Sequence, residues 1–272
     1  MPSPATDANT TRVVLTIAGF DPSGGAGIIA DIRALMAFGC RPVAAMTSLT
    51  FQNSEALFGS IHQTADSLRA QILPLVKEFR IAAVKIGMLP TRDLVLEVTR
   101  LVRNMPAPVV DPVLHSSSGY ELMEPAAREA WLAELMPLAR LITPNIPEAE
   151  ALTGMPIKNE SDMRAAAAKL RETGARAVLV KGGHLPALRA GAVDVLDDDG
   201  TVTVFRDEWF DRPPVRGTGC MLSAAIAASL AVDMSLQESV SAAKRFVADV
   251  IRCAPDRESG SGHAGGITKV EE

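Results

Sequence analysis

Arg216-Gly217-Thr218-Gly219-Cys220 sets two glycines, a hydroxyl and a thiol directly before an apolar segment, Met221 to Ala231, that reads as a helix. A helix start aims unpaired backbone N–H groups and the positive end of the helix dipole at one point, where a phosphate would sit readily. Gly217, Thr218 and Gly219 would cradle transferring oxygens. A thiol at such a position has a depressed pKa, which would let Cys220 act as a base or nucleophile. The plainer alternative is a glycine-permitted helix start with Cys220 as a small buried residue.

Other segments carry complementary chemistry. Val180-Lys181-Gly182-Gly183-His184 puts a lysine at a strand end, where a cation for phosphate belongs, although a solvated lysine before a turn has the same signature. His184 reads as shaping that loop. Thr143-Pro144-Asn145-Ile146-Pro147-Glu148-Ala149-Glu150 leads from a strand into a helix with carboxylates in its first turns. This is ordinary charge placement at a helix start. Beside a nucleotide, however, an amide and a carboxylate such as Asn145 and Glu148 suit hydrated Mg²⁺, which keeps several waters and needs few protein ligands. The loop Gly19 to Gly27 lets backbone approach a ligand without side-chain obstruction. Its Gly25-Ala26-Gly27-Ile28-Ile29-Ala30 stretch fits the dinucleotide fingerprint in spacing, but the glycines lie several residues beyond the strand. A turn that needs glycine for conformation alone is the other reading. The sequence contains no Walker A motif. Met88, Val113 and Gln52, near strand ends, could line an apolar slot for a small heterocycle, although Met88 and Val113 taken singly read as core.

The elements that must position these residues alternate. Strands are expected over Val13 to Ala18, Pro42 to Ser48, Ala82 to Ile86, Pro108 to Asp111, Leu141 to Thr143 and Ala177 to Lys181. Helices are expected over Ile28 to Phe38, Ser67 to Lys77, Asp93 to Arg103, Ala126 to Met136 and Ser161 to Glu172. Val193 to Leu196 and Val202 to Phe205 flank Asp197-Asp198-Asp199-Gly200 and read as a hairpin. Helices over Met221 to Ala231 and Leu236 to Cys253 close the chain. Strands with consecutive apolar residues are covered on both faces. The expected fold is therefore a three-layer α/β/α sandwich around a mostly parallel sheet, with the hairpin at an antiparallel edge. Residues 13–272 read as one domain after a flexible tail, 1–12. In such sheets ligands gather at the carboxyl ends of the strands, where all the segments above lie.

Composition narrows the partners. The net charge of -5 is spread along 272 residues without a basic block, which argues against nucleic acid. No apolar run approaches the roughly 18 residues that span a bilayer, and Met1 to Thr11 lacks a signal-peptide layout, so a cytoplasmic location is expected. Cys40, Cys220 and Cys253 are too scattered for a disulfide framework or a metal pair.

In order and over essentially the whole chain, these segments resemble hydroxymethylpyrimidine/phosphomethylpyrimidine kinase of the ribokinase-like superfamily. The matching pieces are Thr16-Ile17-Ala18-Gly19 through Ala30-Asp31, Gln52-Asn53, Lys85-Ile86-Gly87-Met88-Leu89, Val110-Asp111-Pro112-Val113, Thr143 to Glu150, Lys181 to His184 and Gly217 to Cys220. The resemblance implies ATP-dependent phosphorylation of 4-amino-5-hydroxymethyl-2-methylpyrimidine, then of its monophosphate, to the diphosphate used to build thiamine. It implies that Gly19, Asp31, Gln52, Met88 and Val113 form the pyrimidine site, with Asp31 and Gln52 hydrogen-bonding ring and amino groups. Lys181 with Gly217, Thr218, Gly219 and Cys220 would form the phosphate site, with Cys220 as a modest base, and Asn145 with Glu148 the Mg²⁺-nucleotide motif. A homodimer is implied as well. Three departures stand out. His115-Ser116-Ser117-Ser118-Gly119 lacks the basic residue that relatives often carry there, Ser54 replaces a threonine after Gln52-Asn53, and the tail signature is reduced to Gly260 to Gly266. Pyridoxal kinase is the nearest rival, because its substrate is also a heteroaromatic ring bearing a hydroxymethyl group.

Overall fold

Burial of Val14 to Ala18 on both faces makes the first strand the spine of the molecule. The computed structural model describes residues 11–53, 55–116, 119–183, 192–207 and 215–254. Among these residues nine strands form one sheet: β1 (Val13–Phe20), β2 (Arg41–Gln52), β3 (Leu57–His62), β4 (Ile81–Ile86), β5 (Val109–Val110), β6 (Leu141–Ile142), β7 (Ala177–Lys181), β8 (Ala192–Asp198) and β9 (Thr201–Asp207). Their order is β3-β2-β1-β4-β5-β6-β7-β8-β9. The pairings from β2 through β7 are parallel, whereas β2–β3, β7–β8 and β8–β9 are antiparallel. The hairpin at one edge is as expected. The opposite edge is a difference from the sequence reading: β2 continues through Gln52, which was expected in a loop, and turns back into β3.

Helices α1 (Gly27–Ala37), α7 (Thr218–Ala231) and α8 (Leu236–Cys253) cover one face of the sheet. Helices α2 (Ala65–Glu78), α3 (Arg92–Val102), α4 (Pro125–Ala130), α5 (Ile146–Thr153) and α6 (Glu160–Glu172) cover the other, which yields the three layers. Side-chain caps from Thr64, Thr91, Asn145, Asn159 and Ser235 satisfy orphan amides at the starts of α2, α3, α5, α6 and α8. The expected single helix over Ala126 to Met136 instead passes from α4 into a π turn at Trp131–Leu135 and a 3-10 turn at Met136–Leu138, with Trp131 fully buried. Pro137 cannot continue an α-helical ladder, which accounts for the tightened end.

Because β1 is followed on one side by β2 and on the other by β4, the strand order reverses beside β1. Open α/β sheets bind ligands at the carboxyl ends of the strands at such a point.

Candidate functional site

Two loops meet over this crevice. Gly27 has φ +57°, and a Cβ there would lie 2.2 Å from the Gly19 carbonyl oxygen. Gly217 has φ +73°, and a Cβ there would lie 2.2 Å from the Gly25 carbonyl oxygen. Only glycine allows this backbone-on-backbone packing, which seats the loop after β1 against the start of α7. No side chain caps α7, so the amides at its start remain available to an anion. A Cβ on Gly219 would sit 3.2 Å from Lys181 Nζ, so a side chain there would press on the lysine.

Two lysine–aspartate pairs, one fully buried and one partly exposed at its lysine, flank this point. Lys181, at the end of β7, donates to Asp111 Oδ1 at 3.0 Å, and the Thr143 hydroxyl donates to the same oxygen at 2.9 Å. Lys85, near the end of β4, donates to both Asp31 oxygens at 2.8 Å, and Thr16 donates to Asp31 Oδ2 at 2.6 Å. Burial alone would depress both lysines, but the facing carboxylates outweigh it and hold both above the usual lysine range. Burial likewise disfavours charge on Asp111, yet Lys181 and Lys85 keep it below the usual carboxylate range.

Cys220 lies in the first turn of α7, within the fields of Lys85, Asp31 and Asp111, and the Gly27 N–H bonds its sulfur. The depressed thiol pKa expected from the helix dipole is not what the structure yields. Burial pushes the thiol up to about 11, Asp31 and Asp111 add to the rise, and Lys85 with the Gly27 N–H only partly offsets it.

Asn145 and Glu148 form a reciprocal capping box at the start of α5: Glu148 N–H donates to Asn145 Oδ1 at 2.9 Å, and Asn145 N–H donates to Glu148 Oε2 at 2.8 Å. The Leu114 backbone also hydrogen-bonds the Glu148 carboxylate. Burial raises Glu148 to about 7, with Lys181 opposing and Asp111 reinforcing the rise. Lys181 bridges to Asn145 in the sheet, so Asn145, Lys181 and Asp111 are neighbours. The described residues contain no group of three or more His, Cys, Asp or Glu able to cage a metal. Carboxylates that touch the ion through water are the donors Mg²⁺ accepts when phosphates supply the rest.

At the acceptor end, Met88 covers Gly19, where a Cβ would stand 2.9 Å from the Met88 sulfur. A cavity of about 390 Å³ adjoins Met88 and is lined in part by Ser60, His62, Tyr120 and Glu121. Gln52 donates to Thr50 Oγ1 at 2.8 Å and accepts from Arg216 at 2.8 Å. Val113 is half-buried two residues beyond Asp111, on the rim of the sheet. Asp31 departs from expectation. It is fully buried, with its oxygens engaged by Lys85 and Thr16, so its geometry supports the lysine and does not present a direct bond to a ring. The sequence reading assigned no role to Lys85, Asp111, Thr143, Asp21 or Arg216. A lysine inside an apolar strand was the available sign for Lys85, since a buried lysine requires a partner. Ser54, Ser117, Ser118, His184, residues 260–266 and most of the expected tail lie outside the described residues.

Comparisons with known proteins give the family and the fold. A family model described as phosphomethylpyrimidine kinase matches residues 21–265. The chain belongs to that family. Within it, the hydroxymethylpyrimidine/phosphomethylpyrimidine kinase of Streptomyces coelicolor is 39% identical over 243 residues, covering 89% of this chain and 89% of that protein. The crystal structure of phosphomethylpyrimidine kinase from Clostridium difficile 630 is similar at a TM-score of 0.78 and 37% identity, over 89% of this chain and 100% of that one. An ADP complex of Bacillus subtilis pyridoxal kinase is similar at a TM-score of 0.83 and 34% identity, over 92% of this chain and 95% of that one. The fold is thus the ribokinase-like fold that the resemblance implied. No described helix is long and apolar enough to cross a membrane.

Proposed function

We propose that this chain, a kinase of thiamine biosynthesis by family, transfers the γ-phosphoryl group of ATP to hydroxymethylpyrimidine and then to its monophosphate. The observation that carries this reading is the uncapped start of α7, wedged by Gly217 against Gly25 and faced by Lys181 and Asp111. ATP with Mg²⁺ would supply the phosphoryl group and the counter-charge for it. Phosphoryl transfer passes through a loose transition state, so positioning and charge stabilisation carry most of the catalysis. The amides of Gly217, Thr218, Gly219 and Cys220, with Lys181, would hold the equatorial oxygens. Asn145 and Glu148 would orient the hydrated ion, and Gly19, Met88, Val113 and Gln52 the acceptor ring. Asp31 would keep Lys85 charged and in place. A thiol held up at about 11 is a poor base at neutral pH, so Cys220 would contribute mainly through its backbone amide.

Residues 13–272 are read as one domain, supported by the continuous nine-stranded sheet. A homodimer is the proposed working form, on the resemblance, and the cytoplasm its proposed location, on the sequence reading. Turnover by two variants tests the mechanism. Cys220→Ala is expected to retain most of kcat, whereas Gly219→Val, which drives a side chain into the cradle, is expected to lose it. The reverse order would return the work to the thiol. The rival acceptor is pyridoxal, favoured by the similarity to the Bacillus subtilis pyridoxal kinase.

A further inference from the structure

Arg216 precedes the phosphate-binding loop, yet its guanidinium points to the other end of the cleft. One terminal nitrogen donates to the Asn53 carbonyl, the other donates to Gln52 Oε1 at 2.8 Å and lies 3.6 Å from Asp21 Oδ2. Asp21 is buried. Its Oδ1 accepts from the Ser23 N–H and hydroxyl, and its Oδ2 has no hydrogen-bond partner among the described residues. Among the described residues Arg216 is the cation facing that oxygen. A Cβ on Gly25 would stand 3.5 Å from Asp21 Oδ2 and 3.6 Å from Arg216 Cβ, so the three residues share one packed corner.

The consequence falls on Gln52. Thr50 donates its hydroxyl proton to the Phe20 carbonyl at 2.8 Å, so toward Gln52 the Thr50 oxygen can only accept. Arg216 has no acceptor, so the Gln52 atom facing it must be the carbonyl oxygen. Two independent constraints therefore fix the carboxamide in one of its two flips. Among the described residues each end keeps one further site, an N–H and a carbonyl lone pair, and a carboxamide so fixed can offer these to a ligand as a donor–acceptor edge. That edge complements a ring nitrogen adjacent to an exocyclic amino group. A hydroxypyridine aldehyde offers no such adjacent pair.

We propose that Arg216 is a specificity-determining positioning residue: by clamping the Gln52 carboxamide it tunes the acceptor site to aminopyrimidines over substituted pyridines. This rests on the acceptor reading above for its substrate, but the clamp itself is testable without one.

The experiment compares wild type with Arg216→Met, Arg216→Lys, Gln52→Ala and the Arg216→Met/Gln52→Ala double variant. Steady-state kinetics use hydroxymethylpyrimidine, its monophosphate and pyridoxal, and ¹⁵N NMR follows the Gln52 side-chain amide, assigned by its loss in Gln52→Ala. A charge-assisted hydrogen bond sets the expected scale: Arg216→Met raises KM for hydroxymethylpyrimidine roughly tenfold or more. KM for ATP changes by less than about twofold, because uniform binding at the other end is untouched. Discrimination against pyridoxal narrows, the Gln52 amide signals move toward those of a free carboxamide, and Arg216→Met adds little once Gln52 is alanine. Arg216→Lys recovers part of the loss and covers the case in which the methionine variant folds poorly. A loss confined to the monophosphate, equal loss in the Gln52→Ala background, or an unmoved Gln52 amide overturns the proposal. If wild type does not phosphorylate the pyrimidine, the acceptor reading fails, and the amide signals alone decide whether the clamp exists.

Discussion

Lys85 and Lys181 end neighbouring parts of the same sheet, each paired with an aspartate and each within the field of Cys220, yet they are built for different work. Lys85 is 0% exposed and held by both oxygens of an equally buried Asp31. Lys181 keeps 14% of its side chain exposed and makes one bond to Asp111, which Thr143 also engages. The first lysine has no freedom to follow a ligand and serves as fixed charge in the scaffold. The second can exchange its carboxylate for an incoming phosphate while Thr143 keeps Asp111 satisfied. The lesson is that identical residue pairs are divided between architecture and chemistry by exposure and by the number of bonds that hold them.

The sharpest way to break this comparison is to remove each cation. Lys85→Met leaves Asp31 buried without its partner and is expected to cost about 3–5 kcal/mol of stability, read by denaturant unfolding. Adding Asp31→Leu should return much of that loss, because a buried pair replaced by apolar groups is often neutral. Lys181→Met also takes a partner from the buried Asp111, but Thr143 and the nearby Lys85 remain and Lys181 is partly exposed, so it should cost clearly less stability than Lys85→Met while kcat falls about 10²–10³-fold, the scale for losing one preorganised donor to the transition state. If both variants unfold alike, the division between scaffold and site is wrong. A smaller effect is expected at the thiol between the pairs: Cys220→Ala should lower kcat by less than about tenfold, below the range for a general base. Cys220 alkylation by iodoacetamide should also be slow at neutral pH and rise with pH toward about 11, since burial keeps the thiol protonated.

A third cluster marks the low end of the scale. Glu97 is buried between the more exposed Arg69 and Arg100, and their hydrogen bonds lower it from 4.5 to about 2. Its contribution to stability is therefore complete above pH 4.5 and is lost as pH falls from there toward 2. Glu97→Gln should flatten that part of the stability profile and lower stability at pH 7 by about as much as the wild type loses between pH 4.5 and 2.

The alternation of apolar runs located the parallel sheet and its helices, because β1, β4 and β7 are buried on both faces and α8 carries a full amphipathic stripe. Strand β3 was not visible: Leu57–His62 is mostly half-buried or exposed and contains Gly59, so its strand character comes from pairing with β2. The glycine loops, Lys181 and the Asn145–Glu148 pair were legible from local order alone. What local order cannot show is a partner far along the chain. Asp31 looks like a ligand group until Lys85, 54 residues on, takes its oxygens, and Arg216 has no evident role until folding brings Gln52 to it across 164 residues. The Cys220 thiol departs from the expected low pKa for a related reason. The helix start is local and favours the thiolate, whereas burial is tertiary and outweighs it.

The central claim is tested most directly by incubating the full chain with ATP and Mg²⁺ and each of hydroxymethylpyrimidine, its monophosphate and pyridoxal, and identifying the products by mass. The account predicts conversion of both pyrimidines, ending at the diphosphate. Turnover of pyridoxal alone would contradict it.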